Sequence, residues 1–304
     1  HMAYGFFTEA RMKMTITKTF GQYVPPEVVD ELADDPKSMD LSGQSRDMTV
    51  LFSDVRGFTT LSEGLSPSEL TQVMNAILTP ITRIIHEHNG TIDKYMGDAV
   101  MAFWGAPLDD PEHATHALQA ALEMTAALTD INRDFRKRGW PAIDMGVGLN
   151  SGNMNVGNMG SEFRVAYTVL GDAVNLGSRL EGLTKEYGVR VIISEFTRNR
   201  IDGYLFRELD KVRVKGKDEP VVIYEPVGLK ASLDKSIIEE VQKYHIALAS
   251  YREQDWQNAE KQFEALLKSG TNSKLYKLYL SRIEAFTSQP PDTNWDGVFT
   301  FMTK

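Results

Sequence analysis

The sequence predicts an α+β domain in which two long helices cover one face of a sheet that contains antiparallel strands. Two observations lead to this prediction. Apolar and β-branched residues form short strand-like runs, and two of these runs meet at a tight Gly97-Asp98 turn, as in a hairpin. Two longer segments repeat their apolar residues at helical spacing. The resulting order is strand, helix, hairpin, helix, strand, which is a βαββαβ arrangement.

Residues 1–46 are predicted to form an N-terminal helical lead-in and linker. Apolar residues between positions 4 and 20 indicate a short helix or an ordered segment, and Pro25-Pro26 opens a second short helix. Residues 34–47 are polar and rich in turn-forming side chains, which is typical of a linker. We therefore expect the main domain to span residues 47–228.

The front half of that domain carries the clearest signals. Residues 48–55 (MTVLFSDV) indicate a buried strand that ends at Asp54. Ser66 and Pro67 are typical of an N-cap and a first helical position. The elements predicted here are the strand at 48–55, a helix to about His88, hairpin strands at 92–96 and 99–104, and a helix from Pro111 to about Lys137.

The back half is predicted from shorter patterns. The elements expected there are a strand from Ile143 to Asn150, a turn at Ser151-Gly152-Asn153, a strand at 164–170, a helix capped by Gly171-Asp172, and late strands at 189–193, 204–209 and within 212–226. Apolar residues from about Ser236 to Leu266 are spaced as in a tetratricopeptide-like helix pair. Because one such pair cannot bury itself, we expect residues 229–304 to pack on the main domain or on a partner.

Composition limits the chemistry that is available. The chain has 304 residues, a formal net charge of −9 and no cysteine. The missing cysteines exclude a disulfide scaffold, a thiolate metal site and a cysteine nucleophile. The acidic balance argues against a nucleic-acid partner, which would need a basic face.

The sequence contains no apolar run long enough to span a bilayer, and no signal peptide opens it. This segment is therefore expected to be cytoplasmic. His1-Met2 resembles a cloning remnant, so we expect a longer natural protein with an upstream sensor or membrane domain that could anchor it.

Two acids are candidate metal ligands. Asp54 ends the first strand and Asp98 lies at the hairpin tip, so pairing of the hairpin with the first strand would bring both to one sheet edge. Hard oxygen ligands suit Mg²⁺ or Mn²⁺. Turn chemistry and helix capping would also explain acids at these positions. Gly57-Phe58-Thr59 favours the metal hypothesis, because such a turn leaves backbone N–H groups free to meet phosphate oxygens.

Basic and polar side chains later in the chain are weaker candidates. Asn175 and Arg179 are four residues apart on a predicted helix and share one face, where they could clamp a phosphate. A solvated helix face would explain the same spacing. Lys215 and Lys217 lie in a predicted hairpin turn, where exposed charge is also the ordinary explanation.

Five motifs stand in order along this domain: LFSDVRGFT, GTIDKYMGDAVMAFW, GVGLNSG, YTVLGDAVNLGSRLE and VKGK. With them, the chain from about Asp47 to Pro226 resembles the catalytic domain of class III nucleotidyl cyclases, and most closely the bacterial adenylyl cyclases of the CyaB type. The resemblance implies a ferredoxin-like, palm-type βαββαβ cyclase homology domain. It covers the C-terminal helical extension far less specifically.

The resemblance also implies roles for individual residues. Asp54 and Asp98 match the acids that bind two divalent cations, and the backbone at Phe58 and Thr59 matches the turn that meets the triphosphate. Lys94 and Thr168 match the pair that reads the purine, in the combination that points to ATP. Asn175 and Arg179 match the residues that position the ribose and stabilise charge at the α-phosphate. Lys215, with Lys217 as the alternative, matches the residue that holds the terminal phosphates.

The activity implied is conversion of ATP to cyclic AMP and pyrophosphate, by in-line attack of the ribose 3′-hydroxyl on the α-phosphate. In this family the metal ligands and the base-reading residues of one site come from opposite subunits. The resemblance therefore implies a head-to-tail homodimer with two shared sites.

Two other hypotheses compete with this one. A cyclase-fold module could bind nucleotide and regulate a partner without turnover, although the matched site residues argue against it. Another palm-like enzyme, such as a diguanylate cyclase or a polymerase, would need a GGDEF-like hairpin or a basic template groove, whereas the hairpin tip here is YMGDA.

Overall fold

The computed structural model describes residues 43–161, 163–213, 219–292 and 294–300. The predicted lead-in and the helix at Pro25-Pro26 lie outside these ranges, as do Lys215 and Lys217. The described elements are β1 (Gln44–Arg56), α1 (Phe58–Glu63), α2 (Pro67–Glu87), β2 (Thr91–Met96), β3 (Ala99–Trp104), α3 (His113–Arg138), β4 (Asp144–Ser161), β5 (Arg164–Leu170), α4 (Asp172–Tyr187), β6 (Val191–Ser194), α5 (Glu195–Arg198), β7 (Tyr204–Arg213), β8 (Val221–Leu229), α6 (Lys235–Arg252), α7 (Trp256–Ser269), α8 (Ser273–Ser288) and β9 (Phe299–Thr300).

The strands form one mixed sheet in the order β2-β3-β1-β4-β6-β8-β7-β9, and β5 pairs with the far end of β4. β1 lies antiparallel between β3 and β4, while β6 runs parallel to β4. The first four strands in this order are those of the predicted βαββαβ arrangement. The mixed helix-and-sheet architecture that was predicted is therefore confirmed.

Alternation along β1 sends successive side chains to opposite faces of the sheet. Leu51 packs into a buried cluster with the apolar faces of α2 and α3, so both long helices cover one face, as predicted. Val50 points the other way, towards α4: a Cβ added to Gly177 of that helix would lie 2.8 Å from the Val50 side chain. The sheet is thus covered on both faces, and α4 lies on the face opposite α2 and α3.

The start of α2 follows from its sequence. The Ser66 hydroxyl accepts a hydrogen bond from the Glu69 N–H at 3.3 Å, and the Glu69 carboxylate accepts one from the Ser66 N–H at 2.9 Å. Pro67 occupies the first helical position, where no intrahelical N–H is needed. This capping box fixes where the helix begins.

One predicted turn and both predicted ends of β1 were wrong. The turn predicted at Ser151-Gly152-Asn153 does not exist, because β4 continues through it to Ser161 and pairs with β1 as far as Val156. Pairing with a complete neighbouring strand outweighs the local turn preference of these residues. β1 begins at Gln44, inside the predicted linker at residues 34–47, and runs two residues past Asp54. The C-terminal region also contains a third helix, α8, beyond the predicted pair.

The helices α6, α7 and α8 share a hydrophobic core with α4, β6, β7 and β8. The hydroxyls of Tyr244 and Tyr279 both donate to the Leu209 carbonyl of β7, at 3.0 and 2.5 Å. Arg282 of α8 forms a buried ion pair with Asp210 at 2.6 Å. The C-terminal helices therefore pack directly on the sheet, while their likeness to a tetratricopeptide pair stays a prediction.

Within the described ranges, no helix combines the length and apolar character that crossing a membrane requires.

Candidate active site

Asp54 and Asp98 lie together at one end of the neighbouring strands β1 and β3. Asp54 stands near the end of β1, and Asp98 follows Gly97, whose φ of +69° allows the tight turn between β2 and β3. Three causes together raise the pKa of Asp54 from 3.8 to about 6: burial, which is the largest, the negative charge of Asp98, and a side-chain hydrogen bond with Asp98. The structure thus brings these two predicted residues together.

A third carboxylate, Glu181 of α4, faces the same end of these strands. Gly146 is the cross-strand partner of Asp54, and a Cβ added to Gly146 would lie 2.6 Å from Glu181 Oε1. Burial is the largest cause that raises the pKa of Glu181 to about 7; the charge of Asp54 contributes to this rise, and that of Arg56 opposes it. The sequence analysis missed Glu181. The sequence does contain a sign of it: Glu181 lies four positions after Gly177, so an acid falls on the face of α4 that packs on the sheet.

The chemistry of these acids fits divalent cations. Besides burial, the negative charge of Asp98 raises the pKa of Asp54, and a bound cation would relieve the repulsion between the two carboxylates. In the described part of the chain, no cluster of three or more His, Cys, Asp or Glu side chains forms a complete metal cage. Mg²⁺ commonly uses one or two protein carboxylates and takes its other ligands from water and substrate phosphates. Two acids therefore suit a nucleotide-dependent metal site.

Phe58 and Thr59 form the first turn of the short helix α1. Gly57 precedes them with a φ of +75°, which turns the chain sharply away from β1. Phe58 packs against the core under α2 and α3, whereas Thr59 is exposed. N–H groups in a first helical turn have no intrahelical partner, so they are free to bind an anion near Asp54.

Lys94 and Thr168 meet on the outer part of the sheet through Asp93. The Thr168 hydroxyl donates to Asp93 Oδ2 at 2.5 Å, and Lys94 Nζ lies 3.0 Å from Asp93 Oδ1. Lys94 Nζ also lies 3.5 Å from Thr168 Oγ1. The structure brings the two predicted residues together, and Asp93 is a connecting residue that the sequence analysis missed. Its signal was its place directly before Lys94 in the GTIDKYMGDA motif.

Asn175 and Arg179 lie on α4, one turn apart. Asn175 is exposed, and Arg179 is half-buried, with Nη1 enclosed and without a hydrogen-bond partner among the described residues. The largest charge effect on the pKa of Asp54 comes from Asp98, and the largest on the pKa of Glu181 comes from Asp54, followed by Arg56. Arg179 is not among the charges that act on either carboxyl group, and among the described residues no hydrogen bond or ion pair joins it to Asp54, Asp98 or Glu181. Lys215 falls outside the described residues, and its role stays a prediction.

The main domain of this chain is similar in sequence to known proteins. The family profile described as "Adenylate and Guanylate cyclase catalytic domain" matches residues 42–225. An adenylate cyclase of Anabaena cylindrica is 37% identical over 227 residues, which is 71% of this chain and 44% of the relative. The chain spans less than half the length of the curated relatives it matches.

Two crystal structures are similar in sequence and in fold. The adenylyl cyclase CyaB from P. aeruginosa is 35% identical with a TM-score of 0.58, over 64% of this chain and 100% of that one. The guanylyl cyclase Cya2 is 36% identical with a TM-score of 0.58, over 63% of this chain and 97% of that one. Because the two enzymes are named for different nucleotides, overall similarity does not choose between ATP and GTP.

Proposed function

Since this chain belongs to the family of adenylate and guanylate cyclase catalytic domains, we propose that it converts ATP to 3′,5′-cyclic AMP and pyrophosphate. The observation that carries the proposal is the contact between Asp54 and Asp98, two acids from distant parts of the sequence that lie at one end of β1 and β3. It is the arrangement that a phosphoryl-transfer site with divalent cations needs. The reaction makes the chain the output domain of a signalling protein.

Asp54 and Asp98 would hold two divalent cations, Mg²⁺ or Mn²⁺. When bound, such cations increase the acidity of the ribose 3′-hydroxyl and neutralise triphosphate charge. The backbone N–H groups of Phe58 and Thr59 would bind phosphate oxygens beside them. These groups fix the triphosphate before reaction.

Asn175 and Arg179 would act on the reacting centre. The 3′ oxygen attacks the α-phosphorus in line with the departing pyrophosphate. Asn175 holds the ribose so that this attack is aligned, and the fixed charge of Arg179 stabilises the negative charge that grows in the transition state, an effect typically worth about 3–4 kcal/mol. Lys215 would hold the terminal phosphates.

Lys94 and Thr168 would select adenine. A lysine ammonium donates to the N1 acceptor of adenine, whereas guanine presents an N–H at that position. The contact between Lys94 and Thr168 supports their joint use as a base-reading pair.

We expect each active site to form across a head-to-tail homodimer. One subunit would supply the metal-binding acids, and its partner would supply the residues that contact the ribose, the α-phosphate and the base. Among the described residues of one chain, no ion pair joins Arg179 to Asp54 or Asp98. A second copy would therefore supply the arginine, and each dimer would contain two sites. Exposed apolar side chains on β2 and β5, Tyr95, Met96 and Val165, support an interface near the base-reading pair.

Product analysis tests the reaction. The purified chain is incubated with ATP or GTP and Mn²⁺ beside Asp98→Ala and a matched control, Asp109→Ala, whose side chain is 91% exposed. Cyclic AMP from ATP, lost in Asp98→Ala and kept in Asp109→Ala, is the expected result. ATP binding without turnover would replace the proposal with a regulatory nucleotide-binding module.

Mixing two inactive variants tests the shared site. Co-expressed Asp54→Ala and Arg179→Ala chains form heterodimers in which one site keeps both native residues. Random pairing should restore about a quarter of wild-type activity. No recovery in a mixture that demonstrably contains heterodimers would contradict a shared site.

A further inference from the structure

Asp93 lies beside the base-reading pair, Lys94 and Thr168, and only 1% of its side chain is exposed. We propose that Asp93 is a specificity-determining residue that orients the Thr168 hydroxyl as a hydrogen-bond acceptor for the 6-amino group of adenine. The inference rests on the proposed adenylyl cyclase function and adds a residue to it.

The hydrogen bonds of Thr168 fix the direction of its hydroxyl. A threonine hydroxyl has one proton to donate and two lone pairs that accept, so by itself it does not distinguish an amino group from a carbonyl oxygen. Here the proton is given to Asp93 Oδ2 at 2.5 Å. An ionised carboxylate can only accept, so the Thr168 oxygen is left only to accept. The threonine therefore behaves towards a nucleotide as a carbonyl would.

The same carboxylate positions Lys94. An ammonium group has three N–H donors. One faces Asp93 Oδ1 at 3.0 Å and another faces Thr168 Oγ1 at 3.5 Å. With 47% of the lysine side chain exposed, the third donor is free to face a base. The contacts with Asp93 therefore leave two groups available to a base: one N–H donor of Lys94 and, beside it, one acceptor lone pair of Thr168.

The backbone holds Asp93 in this position. The register between β2 and β3 shifts between Ile92 and Lys94, so Asp93 is the extra residue of a β-bulge. In a regular strand, adjacent side chains point to opposite faces, whereas the bulge allows Asp93 and Lys94 to meet at Thr168. The Val169 N–H also lies 3.4 Å from Asp93 Oδ2. Three donors from two strands therefore converge on one carboxylate before any nucleotide binds.

This donor and acceptor pattern matches adenine and opposes guanine. Adenine offers an N1 acceptor to Lys94 and a 6-amino donor to Thr168, whereas guanine offers an N1–H and a 6-oxo acceptor. With GTP, the N1–H donor would face the Lys94 donor, and the 6-oxo acceptor would face the Thr168 acceptor. A site that hydrogen-bonds one substrate rejects its analogue through such unpaired contacts.

Asp93→Asn tests the proposal because it keeps the shape and removes the charge. Its amide can donate to Thr168, which frees the threonine proton to face a 6-oxo group. The ratio of kcat/KM for ATP to that for GTP is expected to fall about tenfold or more, mostly through a higher KM for ATP. Asp202→Asn, an exposed site with the same charge change, should keep the wild-type ratio.

A second pair of variants shows whether Asp93 acts through Thr168. Thr168→Val should lower the ATP to GTP ratio, and adding Asp93→Asn to Thr168→Val should lower it little further. The inference is overturned if Asp93→Asn reduces kcat for both nucleotides in equal proportion, as a purely structural defect would. If Asp93→Asn does not fold by circular dichroism, an unchanged ratio in Thr168→Val overturns it. Wild-type protein that makes no cyclic AMP would instead refute the proposed function.

Discussion

Replacing Gly148 with alanine would force the helix that carries Asn175 and Arg179 away from the sheet. A Cβ at position 148 would lie 2.3 Å from the Glu181 nitrogen and 2.5 Å from the Gly177 carbonyl oxygen. Both neighbours are backbone atoms, so no side-chain rotation relieves the contact. Restoring ordinary van der Waals separation requires β4 and α4 to separate by roughly 1 Å.

The energetic cost follows from that displacement. Adding a methyl group to a close-packed interior typically costs about 1–3 kcal/mol, because neighbouring elements must shift. A chain of this size loses roughly 2–4 °C in Tm for each kcal/mol. We therefore expect the Tm of Gly148→Ala to fall by about 2–12 °C.

Gly182→Ala is the matched control on the same helix. A Cβ there would meet nothing within 4 Å. Alanine is favoured over glycine in a helix by about 1 kcal/mol, so this variant should melt about 2–4 °C higher than the wild type. The same glycine-to-alanine change is thus expected to lower the Tm at position 148 and to raise it at position 182.

Thermal melting by circular dichroism, combined with cyclase assays well below the melting range, measures both effects. In Gly148→Ala we expect kcat to fall about tenfold or more, because a misplacement of about 1 Å in catalytic groups can reduce the rate by up to about 100-fold. Gly182→Ala should keep the wild-type kcat. A Gly148→Ala protein with wild-type Tm and kcat would refute the reasoning that α4 is held at this contact.

Three further measurements address the site. Lys94→Glu should lower kcat/KM for ATP at least about tenfold and raise it for GTP, since glutamate accepts the guanine N1–H; an unchanged preference in steady-state kinetics would contradict this. Because the folded-state pKa of Asp54 is raised from 3.8 to about 6, this group's contribution to metal-free stability is lost as pH rises from about 4 through 6. Mn²⁺ binds the ionised carboxylate, so it should raise Tm more at about pH 7.5 than at about pH 5, and equal increases would argue against metal at Asp54. Glu181→Gln removes a neighbouring negative charge and should move the midpoint of this Mn²⁺ effect to lower pH, whereas an unmoved midpoint would show that Glu181 does not act on Asp54.

Local sequence patterns were enough to predict the front half of the domain. The capping signal at Ser66 and Pro67 marked the start of α2, and the glycine at the hairpin tip marked the turn that carries Asp98. The ordered motifs around these residues led to Asp54 and Lys94 as well. Such features depend on a few neighbouring residues, which is why they can be read from the chain directly.

The features that the sequence did not predict depend on distant pairing. The length of β4 follows from its neighbour β1, which lies about a hundred positions earlier, so the turn preference at Gly152 was misleading. The role of Asp93 depends on a bulge that brings it to Thr168, and that of Glu181 depends on how closely α4 approaches Gly146. No local pattern contains this information.

The Leu209 carbonyl accepts two tyrosine hydroxyls, and Asp210 pairs with Arg282, although all three partners lie beyond residue 225, where the family match ends. The family match therefore ends at residue 225, whereas the packed core of the sheet includes residues well beyond it. A fragment trimmed to residues 42–225 would keep every proposed catalytic side chain but would uncover an apolar face of β7 and leave a buried carboxylate without its cation. A fusion protein that uses this catalytic domain should therefore include α6, α7 and α8, because these helices cover the apolar face of β7 and β8.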